Sequence, residues 1–343
     1  MKTIIPDGRG SIQYIEIDEP ALFPHALKCR MTHSLISSGT ERGIIQRYNG
    51  IMIDEIKQRD IRLGYCGTGI VEEIGDEVDG FTQGMRVAYY GGPWVSHSEY
   101  VVVPSHLCFH IPDGLEFSHA VFMGIAAIAM HGFRRAGIGL GDVCLVAGAG
   151  IIGNLCAQIA LIAGCHVAVS EREALRRDGM MKCAGGFNDL ACITPDDAMD
   201  TINDMSHGVG ADAVFLCMST DSKEPMQQAL EIVRPGGKIV VLGVLDISVP
   251  RELFFIKEPE ITISRATGPG RYDMAYEHDG YDYPIQYVRW TEGRNLSESL
   301  ELISAGRLKV QPLIAGIVPV ADAAGAYASI LASAPPLAYI LEW

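Results

Sequence analysis

The sequence predicts an α/β protein of two domains, a small antiparallel β-barrel and a doubly wound parallel sheet. Three observations predict it. At 343 residues the chain is longer than one hydrophobic core usually supports. Across residues 64–87, glycines separate short apolar pairs such as Ile70-Val71, the rhythm of antiparallel strands with frequent turns. From Val143 to about Ala266, short apolar runs alternate with helical stretches, as in a parallel sheet covered on both faces.

The elements follow in order. The first hundred residues read as strands and glycine-rich turns. Residues 117–136 are rich in Ala, Met and Ile at helical spacing and end on Arg134-Arg135-Ala136-Gly137, a basic last turn followed by glycine. Strands are expected at 143–146, 166–170, 213–217 and 238–242, with Pro235-Gly236-Gly237 as the turn feeding the last. Residues 268–294 are aromatic, charged and aperiodic, the texture of a functional loop. Helices are expected at 296–305 and 318–333. The sheet domain is therefore placed at 1–109 and 266–343, and the parallel-sheet domain at 110–265. Glu260-Ile261-Thr262-Ile263 reads as an edge strand where two copies could pair, so a homodimer is expected.

A formal charge of -15 argues against nucleic acid or an anionic membrane as partner, because both call for a basic footprint. A small molecule is the expected partner. Nine cysteines without paired spacing point to a reducing, cytoplasmic setting rather than a disulfide framework. The first ten residues carry no apolar signal segment. The longest apolar stretch, 120–130, falls short of the ~20 residues a membrane span requires.

The first strand of the alternating region runs into Gly148-Ala149-Gly150-Ile151-Ile152-Gly153 and an apolar helix. In this context Gly148 makes the tight turn, Gly150 lets a pyrophosphate approach the backbone, and Gly153 lets helix and strand pack closely. The amides of Ile151 and Ile152 belong to the helix N-terminus that faces the phosphates. Glu171 follows the next strand, eighteen positions past Gly153, where an acid binds the adenosine ribose hydroxyls. Glu171 favours NAD by repelling a 2′-phosphate, while Arg172 could attract one, which leaves NADP possible. Leu242, Gly243 and Val244, at the end of a later strand, are expected to line the same cofactor.

Gly64-Tyr65-Cys66-Gly67-Thr68-Gly69-Ile70-Val71-Glu72-Glu73-Ile74-Gly75, then Gly84-Met85-Arg86-Val87, and the glycine turn together resemble the medium-chain dehydrogenase/reductase superfamily, the zinc alcohol and polyol dehydrogenases. The resemblance covers almost the whole chain and implies a GroES-like barrel plus a Rossmann domain. It also implies where a catalytic zinc would be held, and there the sequence departs. Ser38 stands where the family has cysteine, Tyr65 where it has histidine, and the third ligand position falls near Gly124. The structural zinc lobe is missing as well, since Val87-Ala88-Tyr89-Tyr90-Gly91-Gly92 leads straight to Glu99-Tyr100-Val101. No metal is expected, Cys66 reads as a structural thiol, and His131 as a packing or surface residue. Residues 266–273 and 281–292 are similar to a zinc-lacking branch found as the dehydrogenase domain of bacterial bi-domain oxidoreductases in sugar and polysaccharide pathways.

Without zinc, side chains must supply the hydrogen-bond donors and the proton path. Thr40 matches the family's relay position, Tyr65 replaces a ligand, and Arg271 on the irregular loop could meet a developing alkoxide. Ser38, His97, Tyr272 and Tyr283 are the expected substrate contacts. Each has a plainer role open to it: Thr40 as a helix cap, Tyr65 as filler, Arg271 paired with Asp273 or Glu277. The expected activity is hydride transfer between NAD(P) and a secondary alcohol or ketone of a sugar, nucleotide-sugar or cyclitol. Reduction of an activated C=C bond or quinone, and dinucleotide binding without catalysis, are the alternatives.

Overall fold

A computed structural model describes residues 1–184, 186–332 and 336–343. It divides into two compact units, one of Met1–Gly124, Pro269–Ala305 and Leu313–Trp343, the other of Ile125–Gly268 and Gly306–Pro312.

The second unit is built on a six-stranded sheet in which every neighbouring pair is parallel. Across the sheet the strands are Leu190–Ile193, His166–Ser170, Val143–Ala147, Ala211–Leu216, Val233–Val241 and Glu260–Ile263. Numbered along the chain, that is the order 3-2-1-4-5-6. The winding reverses between Val143–Ala147 and Ala211–Leu216, which opens a crevice at their carboxyl ends. Val143–Ala147 is buried at every position, as a strand covered on both faces must be. Leu145, Val214, Leu230 and Ile239 belong to the core beneath it.

Two strands depart from the sequence reading. Leu190–Ile193 was not expected; it is short, and none of its residues is fully buried. Val233–Val241 begins before the Pro235-Gly236-Gly237 turn. Pairing jumps from Ala211 opposite Val233 to Ala213 opposite Lys238, so the turn is an outward bulge within one strand rather than its boundary.

In the first unit, the long strand Ala26–Ser37 pairs antiparallel with Cys66–Ile74, Tyr100–Pro104 and Ala338–Glu342. Arg86–Tyr90 extends the sheet to Cys108–His110. Ile314–Pro319 lies parallel to Ala338–Glu342 at the other edge. Ile4, Ile36, Ile45, Leu63, Tyr327 and Leu341 pack together on this side.

Helices Ser38–Arg47 and Ile53–Gln58 interrupt a region expected to be strands and turns. Gly39 and Gly43 hide the first from propensity, but Glu41 and Ile45, four apart, bury one face of it. The stretch 117–136 forms two helices, Phe117–Ala120 and Met123–Ala136. Helix Glu292–Ser304 starts earlier than expected because the Thr291 side chain caps it, accepting from the Arg294 amide. The expected helix at 318–333 begins instead with the end of strand Ile314–Pro319, and its helical part is Ala323–Leu331. Ser333 lies outside the described residues.

The boundary expected at 109/110 also shifts. Residues 110–124 group with the first unit, where Cys108–His110 pairs with Arg86–Tyr90 and Phe117 stacks on His33 at 5.8 Å. Residues 306–312 group with the second, where the Gln158 amide bonds both the carbonyl and the N–H of Lys309, at 3.1 and 2.8 Å. Among the described residues, no helix is long and apolar enough to cross a membrane.

Candidate functional site

The second unit presents its glycine turn at the switch point. Gly148 takes φ +95°, a conformation that L side chains rarely adopt. A methyl group on Gly153 would lie 1.8 Å from the Gly148 carbonyl oxygen, so the helix enters this close only with glycine there. Gly150 is the N-cap of helix Ile151–Ile162, and no side chain caps it. The leading amides of Ile151, Ile152 and Gly153 lack intrahelical acceptors, a ready anion site.

Glu171 stands just past strand His166–Ser170 and is 8% exposed. Its Oε2 accepts from the Ala149 amide at 2.9 Å and its Oε1 from the Glu173 amide at 3.0 Å. A carboxylate offers about four lone-pair sites, so acceptor capacity remains for a diol. The Arg172 side chain is largely exposed and lies 3.8 Å from Glu224. The amides of Leu242 and Gly243 both donate to the Leu216 carbonyl, at 3.0 and 2.9 Å, and Val244 is exposed. The structure thus brings Leu242 and Gly243 beside the strand that borders the crevice.

In the first unit, Tyr65 and Thr40 come together. The half-buried Tyr65 phenol donates to Ser37 Oγ at 2.6 Å, with the Thr40 hydroxyl beside it. Burial, with the Cys66 thiol beside it, pushes this phenol well above the ordinary tyrosine range, so it keeps its proton. Thr40 lies exposed inside the first turn of helix Ser38–Arg47 and is not its cap.

Behind them is a buried network. Glu41 reaches back across the first turn so that its Oε1 accepts from the Ser37 amide at 2.8 Å. Its Oε2 accepts from the Tyr327 hydroxyl and from His97 Nε2 at 3.1 Å. His97 Nδ1 and Ser34 Oγ are hydrogen-bonded at 2.8 Å. Trp343 Nε1 donates to the same Ser34 oxygen at 2.8 Å.

Four sequence expectations change here. His97 has no exposure and serves this network, so it is not a substrate contact. Ser38 Oγ donates to the Leu337 carbonyl at 3.2 Å; its neighbour Ser37 meets Tyr65 instead. Arg271 is buried, paired with Glu277 at 2.5 Å, bonded to the Gly92 carbonyl and covered by the Tyr272 ring at 3.9 Å. Glu277 is itself held by the Tyr272 amide at 2.7 Å and by Trp94 Nε1 at 2.6 Å, so the group is a clamp on the loop. Tyr283 commits its hydroxyl to Asp273. Tyr272 is 54% exposed and takes the left-handed φ of 66°. Sequence reasoning missed Ser37 and Glu41; the signal for both was the serine followed four residues later by glutamate at a helix start.

The residues at the expected zinc positions do not fit that ion. Zinc takes several nitrogen, sulfur or carboxylate donors in tetrahedral array. Ser38 is tied to a carbonyl, Tyr65 keeps its proton, and Gly124 has no side chain. A methyl group on Gly124 would meet the Tyr90 ring at 2.3 Å and Cys66 Sγ at 2.8 Å, so that space is already filled. Among the described residues, no three His, Cys, Asp or Glu side chains are grouped to hold a metal.

Residues 152–279 match the zinc-binding dehydrogenase family. A 2-dehydro-3-deoxy-L-galactonate 5-dehydrogenase from Pseudoalteromonas atlantica is 24% identical, over 94% of this chain and 93% of its own. A D-xylulose reductase from Morganella morganii is 25% identical, over 67% of this chain and 60% of its own. The structure of galactitol-1-phosphate dehydrogenase from Escherichia coli matches all of both chains with a TM-score of 0.76 at 17% identity. A Sinorhizobium meliloti dehydrogenase structure bound to NADP scores 0.73 at 20% identity, covering 100% and 99% of the two chains. An alcohol dehydrogenase from Escherichia coli complexed with NADH scores 0.76 at 18% identity, with the same coverage. These structural likenesses establish the fold, a GroES-like sheet domain with a Rossmann domain.

Proposed function

We propose, from the premise that this chain belongs to the zinc-binding dehydrogenase family, that it is an NAD(P)-dependent oxidoreductase working without catalytic zinc. Its substrate is a secondary alcohol or ketone of a polyol, sugar, nucleotide-sugar or cyclitol. The observation that carries the reading is the exchange at the zinc positions. Where ligands would stand, a protonated phenol faces the hydroxyls of Ser37 and Thr40, and the Gly124 side is closed by Tyr90 and Cys66. The activities named for the relatives, on a deoxygalactonate and on xylulose, support the substrate class.

When bound, NAD(P) supplies the hydride acceptor in one direction and the donor in the other. Gly148, Gly150, Ile151, Ile152 and Gly153 hold its pyrophosphate, with Leu242, Gly243 and Val244 lining the strand end beyond. Glu171 takes the adenosine ribose and disfavours a phosphate there, which makes NAD the preferred form. Thr40 meets the reacting oxygen, and Tyr65 backs it with a proton that burial prevents from leaving. In reduction the pair hydrogen-bonds the oxygen as charge develops and exposed Thr40 passes it a proton drawn from solvent; in oxidation the substrate proton leaves to solvent through the same Thr40 hydroxyl, while Tyr65 keeps its own. Ser37 fixes the rotation of the phenol.

A homodimer is part of this reading. Strand Glu260–Ile263 ends the parallel sheet with Ile263 65% exposed, and helix Arg251–Lys257 presents Phe255 and Ile256 at 73% and 69%. Apolar area of that kind beside an unpaired strand edge supports pairing with a second copy. Nine free cysteines support a reducing, cytoplasmic setting.

The test is a panel of polyols, sugars, nucleotide-sugars, cyclitols, enones and quinones with each nicotinamide cofactor, read at the cofactor's absorbance. Turnover of any polyol, sugar, nucleotide-sugar or cyclitol supports the reading. Turnover confined to enones or quinones, or none with any member, overturns it.

A further inference from the structure

Oxidation of a protein thiol begins where the sulfur can be reached. All nine cysteines are free, and seven are buried. The remaining two, Cys192 and Cys217, are half-buried. The Cys192 thiol rests on the Arg177 carbonyl at 3.7 Å. Cys217 has a different neighbour, the Cys156 thiol beside it.

Their placement follows from the fold. Cys217 comes directly after strand Ala211–Leu216, and its amide donates to the Ala147 carbonyl at 2.9 Å. It therefore stands at the switch point, beside the residue that opens the glycine turn. Gly153 faces it from the helix: a methyl group there would lie 3.2 Å from Cys217 Cβ. Cys156 is three residues further along, on the same helix face. The neighbouring Cys217 thiol, and then burial, hold the Cys156 thiol well above the ordinary cysteine range. Cys156 is thus the protonated, enclosed partner and Cys217 the reachable one.

We propose that Cys217 and Cys156 form a dithiol reversibly oxidised by peroxides, and that the resulting cross-link weakens dinucleotide binding at the adjacent turn. The second half rests on the cofactor reading above. The chemistry balances in two steps. The Cys217 sulfur attacks the peroxide, the O–O bond breaks, and sulfenic acid and an alcohol (or water) form. The Cys156 sulfur then attacks the sulfenic sulfur, and the S–S bond forms as water leaves with the Cys156 proton. A covalent bond is shorter than the thiol contact it replaces. Forming it draws the first turns of helix Ile151–Ile162 toward the strand end and shifts the amides of Ile151, Ile152 and Gly153.

Purified protein is treated with hydrogen peroxide, alkylated with iodoacetamide, digested without reductant and mapped by mass spectrometry, with NADH titrated by fluorescence in parallel. The expected result is a Cys156–Cys217 linked peptide and an NADH Kd raised about tenfold or more, both reversed by dithiothreitol. In Cys217→Ser, and separately in Cys156→Ala, peroxide should produce neither change. A cross-link between other cysteines, or Cys217 ending as sulfinic acid while Cys156 is alkylated, overturns the dithiol. A Cys156–Cys217 cross-link with unchanged Kd overturns the coupling. If the untreated protein binds no NADH, the cofactor reading fails, while the peptide map still decides on the dithiol.

Discussion

The Tyr65 phenol donates to the Ser37 hydroxyl at 2.6 Å, and the amide of that same serine is held by Glu41 at 2.8 Å. One residue therefore joins the exposed edge of the candidate site to a carboxylate with no solvent exposure. Thr40, between Ser37 and Glu41 in sequence, is carried on the same turn.

Tyr65→Phe and Thr40→Val keep shape and delete a hydroxyl. Each should lower kcat by ~10²-fold or more while NADH affinity stays near that of wild type. Steady-state kinetics on the substrate found in the panel, with a fluorescence titration, checks this. Near-wild-type kcat in both variants would place the chemistry elsewhere.

Purified protein should carry less than stoichiometric zinc and keep its activity in a chelator, since Ser38, Tyr65 and Gly124 form no ligand set. Elemental analysis that finds one tightly held zinc per chain would sink the zinc-free mechanism.

NADH should bind more tightly than NADPH. Glu171→Ser should narrow or reverse that ratio, with Arg172 able to meet the phosphate. Because Glu171 also holds the Ala149 amide, both affinities should fall, and the ratio is the informative quantity. A tenfold NADPH preference in the unaltered protein contradicts the assignment.

The Arg271–Glu277 pair is almost fully enclosed, with side chains 4% and 3% exposed. Glu277→Ala leaves a buried guanidinium without its counter-charge and should cost about 3–5 kcal/mol. Arg271→Met, which removes the charge and fills part of the space, should cost less. Denaturant unfolding of both variants measures the difference, and equal costs would argue against the clamp.

His131 provides the pH dependence. Burial, then Arg135 and Arg134, lower its pKa from 6.5 to about 4. The unfolded chain takes up this proton near pH 6.5 and the folded one only near 4. The contribution is therefore complete above pH 6.5 and is lost as pH falls from there toward 4. Melting temperatures over that range should drop less steeply in His131→Gln than in wild type.

The parallel sheet was legible because its chemistry is local. Alternating apolar strands and Gly148, Gly150 and Gly153 are each readable within a few residues, and the geometry at Gly148 and Gly153 is what those residues permit. The sheet unit was less legible. Gly39 and Gly43 concealed a helix whose existence depends on burying Glu41 and Ile45 against distant residues. Arg271 was read as a donor to a developing alkoxide, with pairing to Glu277 as the plainer role; the structure shows that pairing, and adds Gly92, 179 positions away, which only the folded loop brings near. His97 misled for the same reason, since Ser34 and Glu41 reach it from another strand and helix. Ser37 was passed over for Ser38 because a motif fixes spacing and cannot say which of two adjacent hydroxyls turns inward.

On the zinc-free reading, the packing at Gly124 bears on whether a metal site could be built into this protein. Replacing Ser38, Tyr65 and Gly124 with ligand residues would restore the letters of a zinc site without its room. A new side chain at 124 begins inside the Tyr90 ring and against the Cys66 sulfur. Those two would have to yield in the same step, and Tyr65 could not become histidine without releasing Ser37. A metal site built here would therefore require Tyr90 and Cys66 to move along with the changes at Ser38, Tyr65 and Gly124.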